Sequence, residues 1–403
     1  MTARHLLTAT AIALPAIAMA QDAPVPQGAP NVPEFDPAFP GQTRAPQRDS
    51  DLTLALNDVA GGLVHPWGIA VLPQQGYLVT ERPGRLRHVS PDGTLSAPVA
   101  GMPDVLNEEQ GGLLDIALGP DFAETRMIYW TYAKPLGDGT SATAAARGRI
   151  SEDFAEVTAV EDIFVQQPPS PTPMHYGSRI VPDGEGHVYI TTGDHFTEAE
   201  RTLAQDLGTT YGKIVRVALD GSAPADNPFV GEPEARDTIW SYGHRNIQGA
   251  DIRPATGTLW AIEHGPAGGD ELNKIAGGVN YGWPVISYGE NYDGTPVGEG
   301  ITAHTGMAQP RYYWDPVIAP GGLVFYDGEM FEQWQGDVFA GGLVAGGLVR
   351  LSLDDDTVTG EERLISGIGR TRDVAVDNDG ALLVITDKEN GALVRLTPDA
   401  ATN

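Results

Sequence analysis

The chain contains no cysteine. That excludes a disulfide framework and any thiolate nucleophile, so stability has to come from a large apolar core. Positive charge is scarce as well: 25 Lys and Arg stand against 54 Asp and Glu, a formal net charge of −29. Such a field repels a phosphate backbone and an anionic membrane surface, and no nucleic-acid partner is expected. Carboxylate-rich loops suit hard cations such as calcium, and they also serve plain solubility. Past the first residues no run approaches the ~20 apolar residues of a transmembrane helix, so no stable membrane anchor is expected. Signatures of other enzyme classes are missing too. The Gly-rich GTTYGKIV has no Ser or Thr after Lys213 and is no P-loop, and neither GxSxG nor HExxH occurs.

What is present begins with an export signal over residues 1–20. Arg4 and His5 precede the apolar stretch from Leu6 to Ile17, which ends at Ala18-Met19-Ala20. Cleavage after Ala20 implies a periplasmic or secreted protein. Residues 21–50 are rich in Pro, Gln, Ala and Gly without a sustained period, which suits a tether or an edge wrap outside the fold. The rest, residues 51–403, exceeds the usual single-core limit unless its architecture is a closed repeat.

A repeat is there. An apolar alternating run, a Pro, Asp or Gly turn and a second alternating run recur from Gly68, Leu114, Ser178, Gly249, Gly322 and Asp373. Period-two apolar residues mark half-buried strands and the turn residues join them, so each copy reads as an antiparallel hairpin. Copies spaced by ~46 to ~73 residues fit four short strands plus loops per unit, which predicts an all-β fold, a six-bladed β-propeller of four-stranded antiparallel blades. A β-sandwich or a pair of barrels is the alternative. The last copy ends in GALVRLTP and the first follows DLTLALNDVAGGL, so one terminal strand can complete the blade of the other terminus.

Between the blade phrases lie four polar clusters. In HYGSR, His175 precedes the third blade's first strand, at the mouth of the axis, where it is either a catalytic imidazole or a satisfied structural one. In YGHRNIQG, Arg245 offers a fork of donors to a carbonyl or carboxylate, and Asn246 and Gln248 stand beside it; a loop-stabilising network is the other reading. In EHGPAGGDELNKIAGGVNYGWP, Gly265 and Pro266 offer turn carbonyls and Asp270 and Glu271 hard oxygens, as in a calcium loop, though without EF-hand spacing; an N-cap cluster is the alternative. In GRTRDV, Arg370 and Arg372 are two apart on one strand face. Two adjacent guanidiniums need an anion between or above them, either a small polycarboxylate or cross-strand Asp or Glu.

With these motifs in view the chain resembles the soluble pyrroloquinoline quinone (PQQ) dependent sugar dehydrogenases, in the aldose sugar dehydrogenase branch of the glucose/sorbosone dehydrogenase family. The likeness runs from Leu63 to Pro398 through HPWGIA, EEQGGLLDIALGPDF, HYGSR, AQDLGTTYGKIVRV, ADNPF, WSYGHRNIQG, EHGPAGGDELN, NYGWPVISYG, YYWDPVIAP and GRTRDV. It implies a six-bladed propeller with PQQ over the axis on a calcium ion, and oxidation of the C1 hydroxyl of aldoses to lactones. By resemblance, His175 is the general base and Arg245 and Asn246 contact the quinone oxygens, with Gln110 and Gln248 nearby. Gly265 and Pro266 present carbonyls to calcium, Arg370 and Arg372 hold PQQ carboxylates, and Glu271 with the backbone of Tyr281 forms a second calcium site. The electron acceptor is not identified by any motif. Two residues depart from the glucose dehydrogenase branch: Met174 stands where an aspartate precedes the base, and AGGLVAGGLVR has no lysine before Arg350. A calcium-dependent propeller lactonase and a non-catalytic sugar-binding propeller are the competing readings.

Overall fold

Residues 23–399 are described by a computed structural model; the stretch read as an export signal lies outside them. Six inner strands, Pro66–Leu72, Leu113–Leu118, Gly177–Pro182, Ile247–Arg253, Pro320–Phe325 and Thr371–Val376, each touch the next, and the last meets the first. They close a six-bladed propeller, its blades numbered 1 to 6 in that order. Every repeat phrase falls on an inner strand and its hairpin partner. Blade 6 is finished by the N-terminal strand Leu54–Leu63, which pairs antiparallel with Gly391–Pro398 and removes the open edge. Blades 2 to 6 are four-stranded. Blade 1 has three regular strands, and residues 94–99 return along Arg85–Val89 as an irregular fourth. Ser96 N–H donates to His88 and Val99 N–H to Leu86, both at 2.8 Å. Pro98 has no N–H with which to extend that ladder.

Hydrophobicity follows the radius. The second strand of blade 1, Gly76–Glu81, is buried throughout, whereas the outer strand Val157–Val165 of blade 2 is exposed along its middle. Each of the six blade interfaces has its own apolar cluster, for example Leu72, Leu86, Ile116 and Trp130 between blades 1 and 2 and Trp260, Trp314, Phe325 and Leu351 between blades 4 and 5. Stability without disulfides therefore comes from six packed seams.

Alternate blades are also locked by a carboxylate. Asp115, Asp251 and Asp373 sit on the inner strands of blades 2, 4 and 6 and accept from Ile180, Phe325 and Ile69 N–H on blades 3, 5 and 1 at 2.8, 2.8 and 3.0 Å. Arg179 reaches Asp115 at 2.7 Å and Asp373 at 3.2 Å beneath the ring of Trp67. At the opening of the axis, all six inner hairpins share a further feature: the register of the first two strands slips where the inner strand begins. Such bulges redirect side chains, and the residues entering each blade at that end build the site.

The Pro-rich segment, expected as a tether or an edge wrap, lies from Ala23 along the outer strands of blades 4 and 5. Asn31 and Val32 N–H donate to the Asp315 carboxylate, Ala45 N–H to Tyr312 Oη, and Arg48 N–H to the Glu361 carbonyl. Val25, Val32 and Ala45 are buried. No helix among the described residues is long and apolar enough to cross a membrane.

Candidate active site

His175 enters blade 3 with φ 48°, in the left-handed region. Its carbonyl lies so near Gly193 that a Cβ there would stand 1.8 Å away, so the adjoining strand has to carry glycine. The imidazole is buried and held from three sides. Its backbone N–H donates to Gln110 Oε1 at 2.9 Å, Nδ1 lies 2.7 Å from Asp194 Oδ1, and the ring edge meets Phe196 at 5.1 Å. Burial pushes the imidazole below its ordinary pKa, as does the Arg245 charge, against the pull of Asp194. Burial alone would raise the Asp194 carboxyl, but His175, Arg245 and the Phe196 N–H together hold it below its usual value. An ionised Asp194 accepts, so Nδ1 carries the hydrogen and Nε2 is left with its lone pair free to accept a proton. Asp194 is anchored in turn by Trp283 Nε1, which donates to Oδ2 at 2.7 Å.

Arg245 enters blade 4 with its N–H on Glu263 Oε2 at 2.6 Å, and its Nη1 donates to the carbonyls of His264 at 3.1 Å and Gly265 at 2.7 Å. Its guanidinium lies over Trp283 and its Nε is buried without a partner. Asn246 Oδ1 accepts from Gly177 N–H and from Gln248 Nε2, both at 3.1 Å. Gln248 Oε1 accepts from Arg372 Nη1 at 3.0 Å, which joins blades 3, 4 and 6.

Arg370 and Arg372 converge, but on a carboxylate of the chain itself. Each donates from Nη2 to Asp387 Oδ2 at 3.1 Å, and His65 Nδ1 lies 3.0 Å from the other oxygen. Although burial opposes it, Arg372, His65 and Arg370 hold the Asp387 carboxyl well below the usual carboxylate range. Cross-strand pairing is thus what balances the two charges here; Arg372 is buried, and Arg370 is half exposed. Arg372 Nε remains buried and unpartnered.

A cavity of ≈ 250 Å³ opens over the axis, lined by Trp67, Gln110, Tyr176, Gln248, Arg370 and Arg372 among others. Arg245 and Pro266 border a neighbouring cavity of ≈ 350 Å³ with Phe196 and Tyr292. Gln110, His175, Arg245, Asn246, Gln248, Arg370 and Arg372 are therefore brought together.

The segment read from the sequence as a calcium loop divides. Asp270 is not available as a ligand, because Oδ1 accepts from Gly265 N–H and Oδ2 from Ile318 and Ala319 N–H, all at 2.8 Å. Glu271 and Tyr281 lie off the axis and share with Gly265, Pro266 and Glu263 a cavity of ≈ 10 Å³, about one ion or water in size. Asn273 Nδ2 spans Glu263 at 3.2 Å and Glu271 at 3.0 Å, while its Oδ1 is buried with no partner. Burial, with Glu263 beside it, raises Glu271 to about 8. Two carboxylates and an orphaned amide oxygen are a hard-cation donor set, although no group of three His, Asp or Glu side chains poised for a metal occurs among the described residues.

Asp194, Glu263 and Asp387 were not singled out from the sequence. The signal was nonetheless there: four of the phrases close on an acidic residue, in YLVTE, ITTGD, WAIE and VITD. In each case that carboxylate receives a residue leading into an inner strand, as Glu81 does from Val64 N–H at 2.6 Å.

Comparison with known proteins agrees with this fold. The profile of the family described as Glucose / Sorbosone dehydrogenase matches residues 63–395. The chain is 43% identical over 341 residues to the aldose sugar dehydrogenase YliI of Escherichia coli, covering 83% of this chain and 91% of that one. The apo form of the soluble aldose sugar dehydrogenase from Escherichia coli superposes with a TM-score of 0.83 at 41% identity, over 86% of this chain and all (100%) of that one. The PQQ-bound aldose sugar dehydrogenase of Streptomyces coelicolor gives 0.69 at 28% identity, over 86% and 99%.

Proposed function

The chain belongs to the glucose/sorbosone dehydrogenase family of oxidoreductases, and we propose that it is a PQQ- and calcium-dependent aldose dehydrogenase of the periplasm or cell exterior, oxidising the C1 hydroxyl of cyclic aldoses to lactones. The observation that carries this reading is the convergence of Gln110, Gln248, Arg370 and Arg372 on the axial cavity, where the buried Nε of Arg372 has no partner. Donors left idle in a buried site fit an oxygen-rich anionic cofactor. A lactonase needs no such clamp.

The residues fit the two groups unequally. Arg370 and Arg372 would hold the carboxylates of PQQ, with Asp387 keeping both guanidiniums in place. Arg245, Asn246, Gln110 and Gln248 would face its quinone edge. For the cofactor-linked calcium, Gly265 and Pro266 supply carbonyls, the first already engaged by Arg245. Glu271, Glu263 and Asn273, with the Tyr281 backbone, fit a second ion better. Bound PQQ would supply the quinone that receives hydride from C1, and bound calcium a Lewis acid beside it.

The chain's own part is proton transfer and orientation. His175 Nε2 takes the proton of the C1 hydroxyl while Asp194 keeps Nδ1–H aligned and steadies the charge that develops on the ring. Arg245 presents donors to the oxygen that becomes negative, where preorganised dipoles are most effective. The decisive experiment is a visible spectrum of the protein with PQQ and calcium before and after an aldose is added. Bleaching to the reduced quinone is expected; an unchanged spectrum, with no dye reduction, would remove the dehydrogenase reading.

A further inference from the structure

Next to the axial cavity lies a second one of ≈ 780 Å³, and the two share a thin wall. The wall consists of two loop segments, Ile318–Ala319 and Leu343–Ala345. Leu343 N–H donates to the Ala319 carbonyl at 2.9 Å, and Val344 and Ala345 N–H both donate to that of Ile318 at 3.1 Å. Consecutive residues face opposite ways. Ala319 and Leu343 line the axial cavity, whereas Ile318 and Val344 line the second. Asp270 fixes this partition through the N–H groups of Ile318 and Ala319 and ties it to Gly265. A wall of one residue's thickness is a short path for electrons and a closed one for molecules.

The far side of the second cavity is the N-terminal segment, contributing Val25, Pro26, Gln27 and Asn31. That segment lies outside the residues matched by the family. Both polar atoms of the Gln27 amide are buried there without a partner, and an unsatisfied buried amide calls for a ligand that both accepts and donates. Of the charged residues at the cavity, Glu362 is met by Arg350 at 2.7 Å, Arg363 by Glu361 at 2.6 Å and Arg48 by the Thr359 carbonyl at 2.9 Å, while the Asp49 carboxylate accepts from Asp51 N–H at 3.0 Å and disfavours an anion there. Pro26, Pro316, Val317 and Val344 give apolar walls. A neutral, flat, partly apolar molecule fits these conditions, and the volume is within the usual range of small-molecule sites.

We propose that this cavity binds a small neutral quinone, the electron acceptor that reoxidises the cofactor across the Ile318–Ala319 and Leu343–Val344 wall. The inference rests on the dehydrogenase reading above. The quinone takes two electrons and two protons, its two C=O groups becoming C–OH, while the cofactor gives up two electrons and two protons and returns to its oxidised form. Electrons cross the wall; protons are released to water on one side and drawn from water on the other. Gln27 serves both states of the acceptor, with Nε2 donating to the carbonyl and Oε1 accepting from the hydroxyl.

Menadione titrated calorimetrically into cofactor-free protein reads binding apart from activity. Val344→Trp fills the cavity from a position that is 65% exposed, and Gln27→Leu removes the amide; neither residue touches the axial cavity. Both variants are expected to bind menadione at least tenfold more weakly and, once loaded with PQQ and calcium, to be reoxidised by it at least tenfold more slowly. PQQ affinity, bleaching by aldose and reoxidation by phenazine methosulfate should stay unchanged. No menadione binding by the wild type, or equal affinity in all three proteins, would overturn the proposal. So would reoxidation by a c-type cytochrome that Val344→Trp blocks in the absence of menadione binding, which points to a protein partner. Gln27-dependent menadione binding in a protein that never oxidises aldose would support the quinone site while bringing down the dehydrogenase reading.

Discussion

Asp194 Oδ1 lies 2.7 Å from Nδ1 of His175, and the pair is buried against Phe196 and Trp283. This contact sets which ring nitrogen is basic. Asp194→Asn is expected to retain PQQ and lose turnover by about 10²- to 10⁴-fold, the usual worth of a positioned general base, and His175→Ala to do the same. His175 titrates below its ordinary value of 6.5, so the acid limb of kcat/KM should fall below that pH. Removing the Asp194 charge, which raises His175, should move the limb further down. A plateau and limb both unchanged in Asp194→Asn would refute the assignment.

The arginine pair divides unequally. Arg372 is nearly buried and bonded to Gln248 and Asp387, whereas Arg370 is about half exposed (49%) and reaches the same Asp387 oxygen. A charge-assisted contact to carboxylate contributes about 1.5–3 kcal/mol when desolvated and less when wet. Arg372→Ala should therefore raise the PQQ dissociation constant roughly ten- to a hundredfold, and Arg370→Ala by less, with saturating PQQ restoring much of the rate. Cofactor titration followed by dye reduction checks the order; equal, wild-type affinities would dismiss the clamp.

Chelation is expected both to inactivate the holoenzyme and to lower its melting temperature, because one calcium would serve the cofactor and a second the Glu263 and Glu271 cavity. Calcium at about a hundred times its dissociation constant should add about 2.7 kcal/mol to stability. In Glu271→Gln that gain should vanish without PQQ present. Thermal unfolding of cofactor-free protein with and without calcium decides it: identical shifts in wild type and variant would place the ion elsewhere.

Stability should also carry the mark of a blade lock. Burial raises Asp251 to about 7, so its folded form holds a proton that the unfolded chain has already released above its ordinary value of 3.8. The stabilisation is complete below that value, declines as pH climbs and is gone above about 7. Asp251→Asn cannot titrate there. The stability of wild type minus variant, from urea unfolding, should fall between about pH 4 and about pH 8; a constant difference would contradict it.

Much of this protein is legible in its sequence. The alternation in phrases such as GHVYITTGD and ALLVITD specifies strands through side-chain period alone, and six copies specify the number of blades because each exposes apolar faces that only neighbours can cover. His175 could be placed at the mouth because it precedes an inner strand, whereas Arg245 and Gln248 could be read only as entering the fourth blade and Arg372 only as sharing a strand face with Arg370. The irregular outer edge of blade 1 could not be read so easily, since Pro98 interrupts a ladder that the apolar pattern leaves undetermined.

What only the tertiary structure decided is which carboxylate meets which partner. Asp270 and Glu271 are neighbours in the chain with the same chemistry, yet strand geometry turns Asp270 to three backbone N–H groups and Glu271 to a cavity beside Glu263. Arg372 and Asp387 are separated by a hairpin, and Asp194 meets a histidine 19 residues away. The N-terminal segment carries no period at all, and its course along blades 4 and 5 is set by hydrogen bonds to Asp315, Tyr312 and Glu361 and by the burial of Val25, Val32 and Ala45. Periodicity is a local property, written into successive side chains; pairing across the axis depends on the closure of the ring, which no stretch of sequence contains by itself.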